Sequence, residues 1–247
     1  RLHNVLFDGD KFDVPYTTTV GAATVSPSAI NVTTNVTATT TISNCTPLTF
    51  SATMDLPGLS AAGFGLSKPL VRNSETVNQD DPNDPSTASY KYPFTVTHAS
   101  RLTVSIDGGA GPDLDLFLLR DSNNDGKLTY PDEVVASSTT STAQETVSLT
   151  RPLDGKYEIL VHGYSVPGGS TMFKLTLDLV QGYDVTVRNV PSGPLPANTP
   201  AHLQVCYQKT VSPGDVLQGD VLLGPSVAPS TFTVPILIRA TAPAARP

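Results

Sequence analysis

The sequence predicts an all-β fold, organised as two β-sandwiches with one inserted in the other, and three observations carry that prediction. Apolar residues recur with a period of two and hardly ever with a helical period. Threonine and serine together number 54 of 247 residues and valine adds 25. Such β-branched or short polar residues are favoured on pleated surfaces and in turns. Turn chemistry breaks the alternating stretches at short intervals, a spacing shared by sandwiches and barrels.

The elements follow in chain order. Residues 16–60 are rich in Thr and Val and almost free of charge, and Phe50, Ala52, Met54 and Leu56 fall on one face there. The polar run SETVNQDDPNDPSTAS, ending at Ser89, reads as a crossing loop. Leu102, Val104 and Ile106 alternate with Thr103, Ser105 and Asp107, and DGGAGPD after them reads as a hairpin turn. Phe173, Leu175, Leu177 and Leu179 mark another half-buried strand. From Tyr183 the chain is punctuated by proline, with strands expected near 183–190, 201–208, 216–223 and 231–239.

Cys45 and Cys206 are the only cysteines, too few for a structural zinc site. In a chain of this composition they read as one disulfide of an exported protein, the alternative being two unrelated buried thiols. A bond between them brings the first quarter of the chain beside the last fifth. The expected division is therefore a discontinuous sandwich over 15–73 plus 183–243, an inserted domain over 74–182, and terminal extensions at 1–14 and 244–247. Three consecutive modules are the rival arrangement. The first residue is Arg1 and no signal peptide is present, so the chain reads as a processed product or a fragment.

Charge excludes several classes. Only 15% of residues are charged and the net charge is −7, so no basic footprint for nucleic acid exists. No apolar stretch approaches the roughly 20 residues of a membrane span.

One stretch carries metal chemistry: Asp121-Ser-Asn123-Asn-Asp125-Gly126-Lys127-Leu-Thr129-Tyr-Pro-Asp132-Glu133. Oxygen side chains at its first, third and fifth positions and glycine at the sixth match a calcium loop. Lys127 supplies a backbone carbonyl at the seventh position. Asp132 closes the shell at the twelfth, with Glu133 as its substitute. The flanks FLLR and EVVASS read as strands, so the expectation is a Ca2+ loop on a β-hairpin, against the alternative of a turn that binds nothing. Asp113 and Asp115, two residues apart, share one strand face opposite Leu114, Leu116 and Leu118. They read equally as sharing a cation or as a solvated face. Catalytic signals are missing: neither HExxH nor G-x-S-x-G occurs. His162 reads as a structural histidine bonded to a loop, and His98 and His202 as surface or interface residues.

The central segment resembles the bacterial pre-peptidase C-terminal domain, a β-jelly-roll module of secreted proteases. SYKYPFTVT, RLTVSIDGG, DLDLFLLRD and FKLTLDL carry the resemblance in order. Its most specific part is the spacing of Pro152, Gly155, Tyr157, Ile159 and Val161. The flanks VSPSAINVTTNVTATT and GDVLQGDVLLGPSVAPSTFTVPILIR resemble fibronectin-III-like segments near the C-termini of subtilisin-like serine proteases. The resemblance implies an extracellular, non-catalytic accessory region whose partners are a protease catalytic domain in the parent chain and a protein or glycan surface. A structural subunit that joins identical neighbours into a filament or surface layer by strand addition is the other reading.

Overall fold

The computed structural model describes residues 22–242. The extensions expected at 1–14 and 244–247, and residues 15–21 and 243 of the expected outer sandwich, lie outside that range. Four strands come first: β1 (Ala23–Ser26), β2 (Ile30–Asn35), β3 (Thr40–Ala52) and β4 (Leu59–Ser67). The middle of the chain forms β5 (Leu70–Asn78), β6 (Tyr90–Val96), β7 (Ala99–Asp107) and β8 (Asp113–Arg120). It continues through β9 (Val134–Ser138), β10 (Gln144–Thr150), β11 (Gly155–Ser165) and β12 (Ser170–Gln181). The last strands are β13 (Val185–Arg188), β14 (Ala201–Val211), β15 (Val216–Pro225) and β16 (Phe232–Thr241). One short 3-10 turn covers Pro85–Thr87.

Strands from the two ends of the chain share two sheets, ordered β1-β3-β14-β13 and β2-β16-β15-β4. Leu48, Phe50 and Val205 of the first sheet pack on Val221, Val234 and Ile236 of the second in one buried cluster. This is the ABED and CFG order of an immunoglobulin-type sandwich. Its first strand is divided: β1 pairs antiparallel with β3, while β2 pairs parallel with β16. Cys45 lies opposite Cys206 across β3 and β14, with Cα atoms 4.0 Å apart, and the two are disulfide-bonded. That spacing fits a cross-strand pair without mutual backbone hydrogen bonds, where side chains come closest.

The middle strands form two further sheets, β10-β7-β12-β5 and β6-β11-β8-β9. Their shared core holds Leu102, Val104, Leu114, Leu116, Leu118, Ile159, Val161, Phe173 and Leu175.

Three expectations are corrected. The boundary drawn after residue 73 falls inside β5, and the polar run meant as a loop supplies the end of that strand. Only Val77 of β5 is fully buried, so this edge strand lacked the apolar alternation that marks the others. DGGAGPD makes no hairpin, because β7 and β8 lie in different sheets and the segment crosses between them. A side chain at Gly108 would meet Ala143 and Leu114 at 2.9 Å, so the crossing runs tight against the core.

A polar and aromatic junction joins the outer sheets to the middle ones. Asp220 of β15, 2% exposed, accepts from Ser100 Oγ at 2.6 Å and from Arg101 Nε at 3.1 Å. Arg101 also reaches Asp178 at 2.7 Å and the Gln218 side chain. His98 is stacked between Phe64 and Tyr183, with ring centroids 4.4 and 4.3 Å away. Its Nε2 lies 3.0 Å from the carbonyl oxygen of Gly63. Phe64, Val180 and Leu222 form a small buried cluster beside it.

Candidate metal centre

The run DLDLFLLR forms β8, and its near-continuous apolar character reflects burial on both faces. Leu114, Leu116 and Leu118 enter the middle core, while Asp113, Asp115, Phe117 and Leu119 point the other way. β8 and β9 are paired antiparallel, so residues 121–133 form the loop of a hairpin. Two backbone bonds tie its ends down: Asp121 N donates to Lys156 O at 3.0 Å and Arg120 N to Glu133 O at 2.9 Å.

Inside the loop the side chains expected as ligands organise the backbone. Asp121 Oδ2 accepts from Gly126 N at 3.0 Å. Asn123 Oδ1 accepts from Asp125 N and Asp125 Oδ1 from Lys127 N, each at 2.8 Å. Gly126 has φ of +83°, the left-handed turn that the sixth position requires. Asp121 is 4% exposed, and its second oxygen, Oδ1, is buried with no hydrogen-bond partner. A buried carboxylate oxygen without a donor is costly, and a cation placed against it would offset that cost.

The far end of the loop is closed by Glu133, which is buried, while Asp132 lies at the surface. Glu133 Oε1 accepts from Ser122 N and Oε2 from Thr129 N, both at 2.9 Å. The bond from Thr129 holds the Glu133 carboxyl below its ordinary range. None of Asp121, Asp125, Asp132 or Glu133 has an ion-pair partner among the described residues.

Asp113 and Asp115 lie on the same outward face, nearer the open end of β8, and do not join the loop. Burial raises the Asp115 carboxyl, opposed by His162, whose Nδ1 sits 3.3 Å from Asp115 Oδ2. Burial and then the charge of Glu145 raise Asp113, whose Oδ1 is buried without a partner. His162 is fully buried, and its Nε2 meets the carbonyl of Asp81 at 2.9 Å. The segment 79–89 thus folds over this end of the face. Asp80 Oδ2 accepts from Gly163 N at 2.8 Å, and a side chain at Gly163 would sit 1.9 Å from the Asn78 carbonyl oxygen. Among the described residues, no three His, Cys, Asp or Glu side chains converge as a metal cluster. The oxygens that could hold a cation in the loop are of another kind: the Asp121 and Asp125 carboxylates, the Asn123 amide oxygen and the Lys127 carbonyl.

Sequence reasoning missed Glu145, which is buried against Ser138 and Thr140, and it missed Asp80. The only available signal for Asp80 was its place in a long polar run, which carries no spacing code.

A comparison with protein families matches residues 88–163 to the bacterial pre-peptidase C-terminal domain. The crystal structure of the pre-peptidase C-terminal domain of a Bacillus anthracis collagenase is similar at 14% identity, with a TM-score of 0.29. That alignment covers 61% of this chain and 96% of the other. A Clostridium perfringens ZmpB structure, with its M60 catalytic domain and two CBM51 domains, is similar at 7% identity and a TM-score of 0.27. There 90% of this chain is covered and 31% of the other. No curated protein sequence matches. Among the described residues, no helix is long and apolar enough to cross a membrane.

Proposed function

We propose that this chain is a non-catalytic, Ca2+-binding accessory region of an exported, subtilisin-like protease, serving secretion, stability or attachment to a substrate or surface. The match of residues 88–163 to a pre-peptidase C-terminal domain carries the reading. The disulfide supports an extracellular setting, since such bonds persist in oxidising compartments. The two separate cores support a division into a discontinuous outer domain and an inserted one over β5–β12. Calcium belongs in the 121–133 loop, where Asp121, Asn123, Asp125 and the Lys127 carbonyl supply oxygens and Glu133 sets the closing turn. Asp113 and Asp115 form a secondary acidic face that a weaker cation contact would neutralise.

Polymerisation by strand addition ranks second, because the most open edge is defended. β1 covers only the last four residues of β3, from Thr49 to Ala52. On the uncovered part, Asn44 Oδ1 already takes the Cys45 N–H at 2.8 Å, and Pro47 has no N–H to offer.

Two measurements test the reading. EDTA lowers the melting temperature of the purified chain, and Asp121→Ala or Asp125→Ala removes that sensitivity; an unchanged melting curve with chelator refutes the metal. Sequencing upstream of Arg1 finds a protease domain in frame, and its absence removes the accessory role.

A further inference from the structure

The outer face of the β6-β11-β8-β9 sheet carries an apolar cluster that a solvent-facing sheet surface does not normally have. Phe117 and Leu119 from β8 and Leu160 from β11 are buried there, together with Ala88. Their cover comes from the metal loop: Leu128 and Tyr130 pack on them, and the Tyr130 ring meets Phe117 edge to face at 5.2 Å. The covering residues follow directly after the expected ligands, Leu128 being adjacent to Lys127.

We propose that the loop is a calcium-dependent latch, in which binding at Asp121, Asn123, Asp125 and the Lys127 carbonyl seats Leu128 and Tyr130 over this apolar face. The proposal rests on the metal reading of the loop and adds its regulation. The loop's ends are held by the Asp121 N to Lys156 O and Arg120 N to Glu133 O backbone bonds, which use none of the side-chain oxygens assigned to the metal. Between those ends the turn is held by the Asp121 and Asp125 carboxylates, which accept from Gly126 N and Lys127 N, while Asp121 Oδ1 stays buried without a donor. Without a divalent ion, the cost of burying the unpaired Asp121 Oδ1 opposes the compact turn, and the turn is what presents Leu128 to the sheet. With the ion, ligation draws the chain in through Lys127 and fixes the direction in which residue 128 leaves. Chelation therefore uncovers Phe117, Leu119 and Leu160 while the sheets beneath stay folded.

Lys127 is exposed at the middle of the loop and offers a direct readout, because trypsin cleaves after it only when the loop can open. The full chain is digested in calcium and in EDTA, with fragments identified by mass spectrometry and calcium affinity measured by calorimetry. Calcium is expected to slow cleavage after Lys127 at least tenfold and to suppress binding of an apolar dye. A Leu128→Ala/Tyr130→Ala variant keeps every ligand and is expected to bind calcium at least tenfold more weakly and to lose the protection. Tyr130→Ala alone shows the same direction if the double variant fails to fold. Calcium binding by the wild type with unchanged cleavage and unchanged affinity in these variants overturns the latch and leaves the metal site standing. Failure of the wild type to bind calcium overturns both.

Discussion

Replacing Arg101 with alanine tests whether the outer and middle sheets behave as one folded body. Arg101 holds Asp178 on its own sheet and Asp220 and Gln218 across the junction. The Asp178 contact is solvent-accessible on both sides, so its loss costs only about 0.5 kcal/mol. Asp220 differs, because its side chain is 2% exposed and the guanidinium is its only ion-pair partner among the described residues. Removing that partner leaves a buried carboxylate held by Ser100 Oγ alone. Loss of one member of a buried pair costs about 3–5 kcal/mol. The 35% exposure of Arg101 admits water and places the value at the low end, about 3 kcal/mol. For a chain of this size that lowers the melting temperature by roughly 6–12 °C. Asp220→Asn, which can still accept from both donors, is expected to cost about half as much. The assay is urea unfolding of Arg101→Ala, Asp220→Ala and the double variant as a cycle, with a coupling energy above about 1.5 kcal/mol expected. Additive single effects, or a loss below about 0.5 kcal/mol for Arg101→Ala, refute the reasoning.

Further outcomes follow from other parts of the fold. Replacing both cysteines with serine removes a link between residues 161 apart in sequence, which costs up to about 5 kcal/mol through the unfolded chain. The outer sandwich still forms, because β3 and β14 remain paired along β14; guanidinium unfolding with and without reductant measures the loss. Gly163→Ala places a methyl group against the Asn78 carbonyl and displaces the 79–89 segment, costing about 3 kcal/mol or more. Thermal melts and the exchange protection of residues 79–89 report it. The Lys68 ammonium, and then the Ser212 N–H, hold the Asp215 carboxyl below its ordinary range. A carboxyl depressed in the folded state contributes stability above its unfolded value near about 4, and loses it as pH falls through the lower folded value. Asp215→Asn is thus expected to lose at most about 1 kcal/mol at neutral pH. Urea titrations across pH should show that deficit vanish in acid.

Strands with one buried face were legible because alternation encodes burial directly. Phe173, Leu175 and Leu177, and Val234, Ile236 and Ile238, all lie in the cores that their spacing indicated. β5 was not legible: a polar edge strand with one fully buried side chain looks like a loop. β4 was hidden for the opposite reason. Its Gly63 and Gly65 have no room for side chains, since Val185 and the β15 backbone lie against them. Turn residues at DGGAGPD showed where the chain reverses but carried no information on which strands pair afterwards. In the 121–133 loop, spacing singled out Asp121, Asn123 and Asp125, whose side chains organise the turn by accepting backbone N–H groups. The choice between Asp132 and Glu133 depends on the backbone path at the hairpin's end, where Glu133 turns in to meet Thr129 and Ser122. The Arg101–Asp220 pair was beyond sequence reading, because a contact across 119 residues leaves no local pattern.

Isothermal calorimetry of calcium into the full chain, with Asp121→Ala beside it, tests the central claim most directly. One calcium per chain at the loop, lost in the Asp121→Ala variant, is the predicted result. An absence of binding by the wild type, or binding that survives Asp121→Ala unchanged, contradicts it.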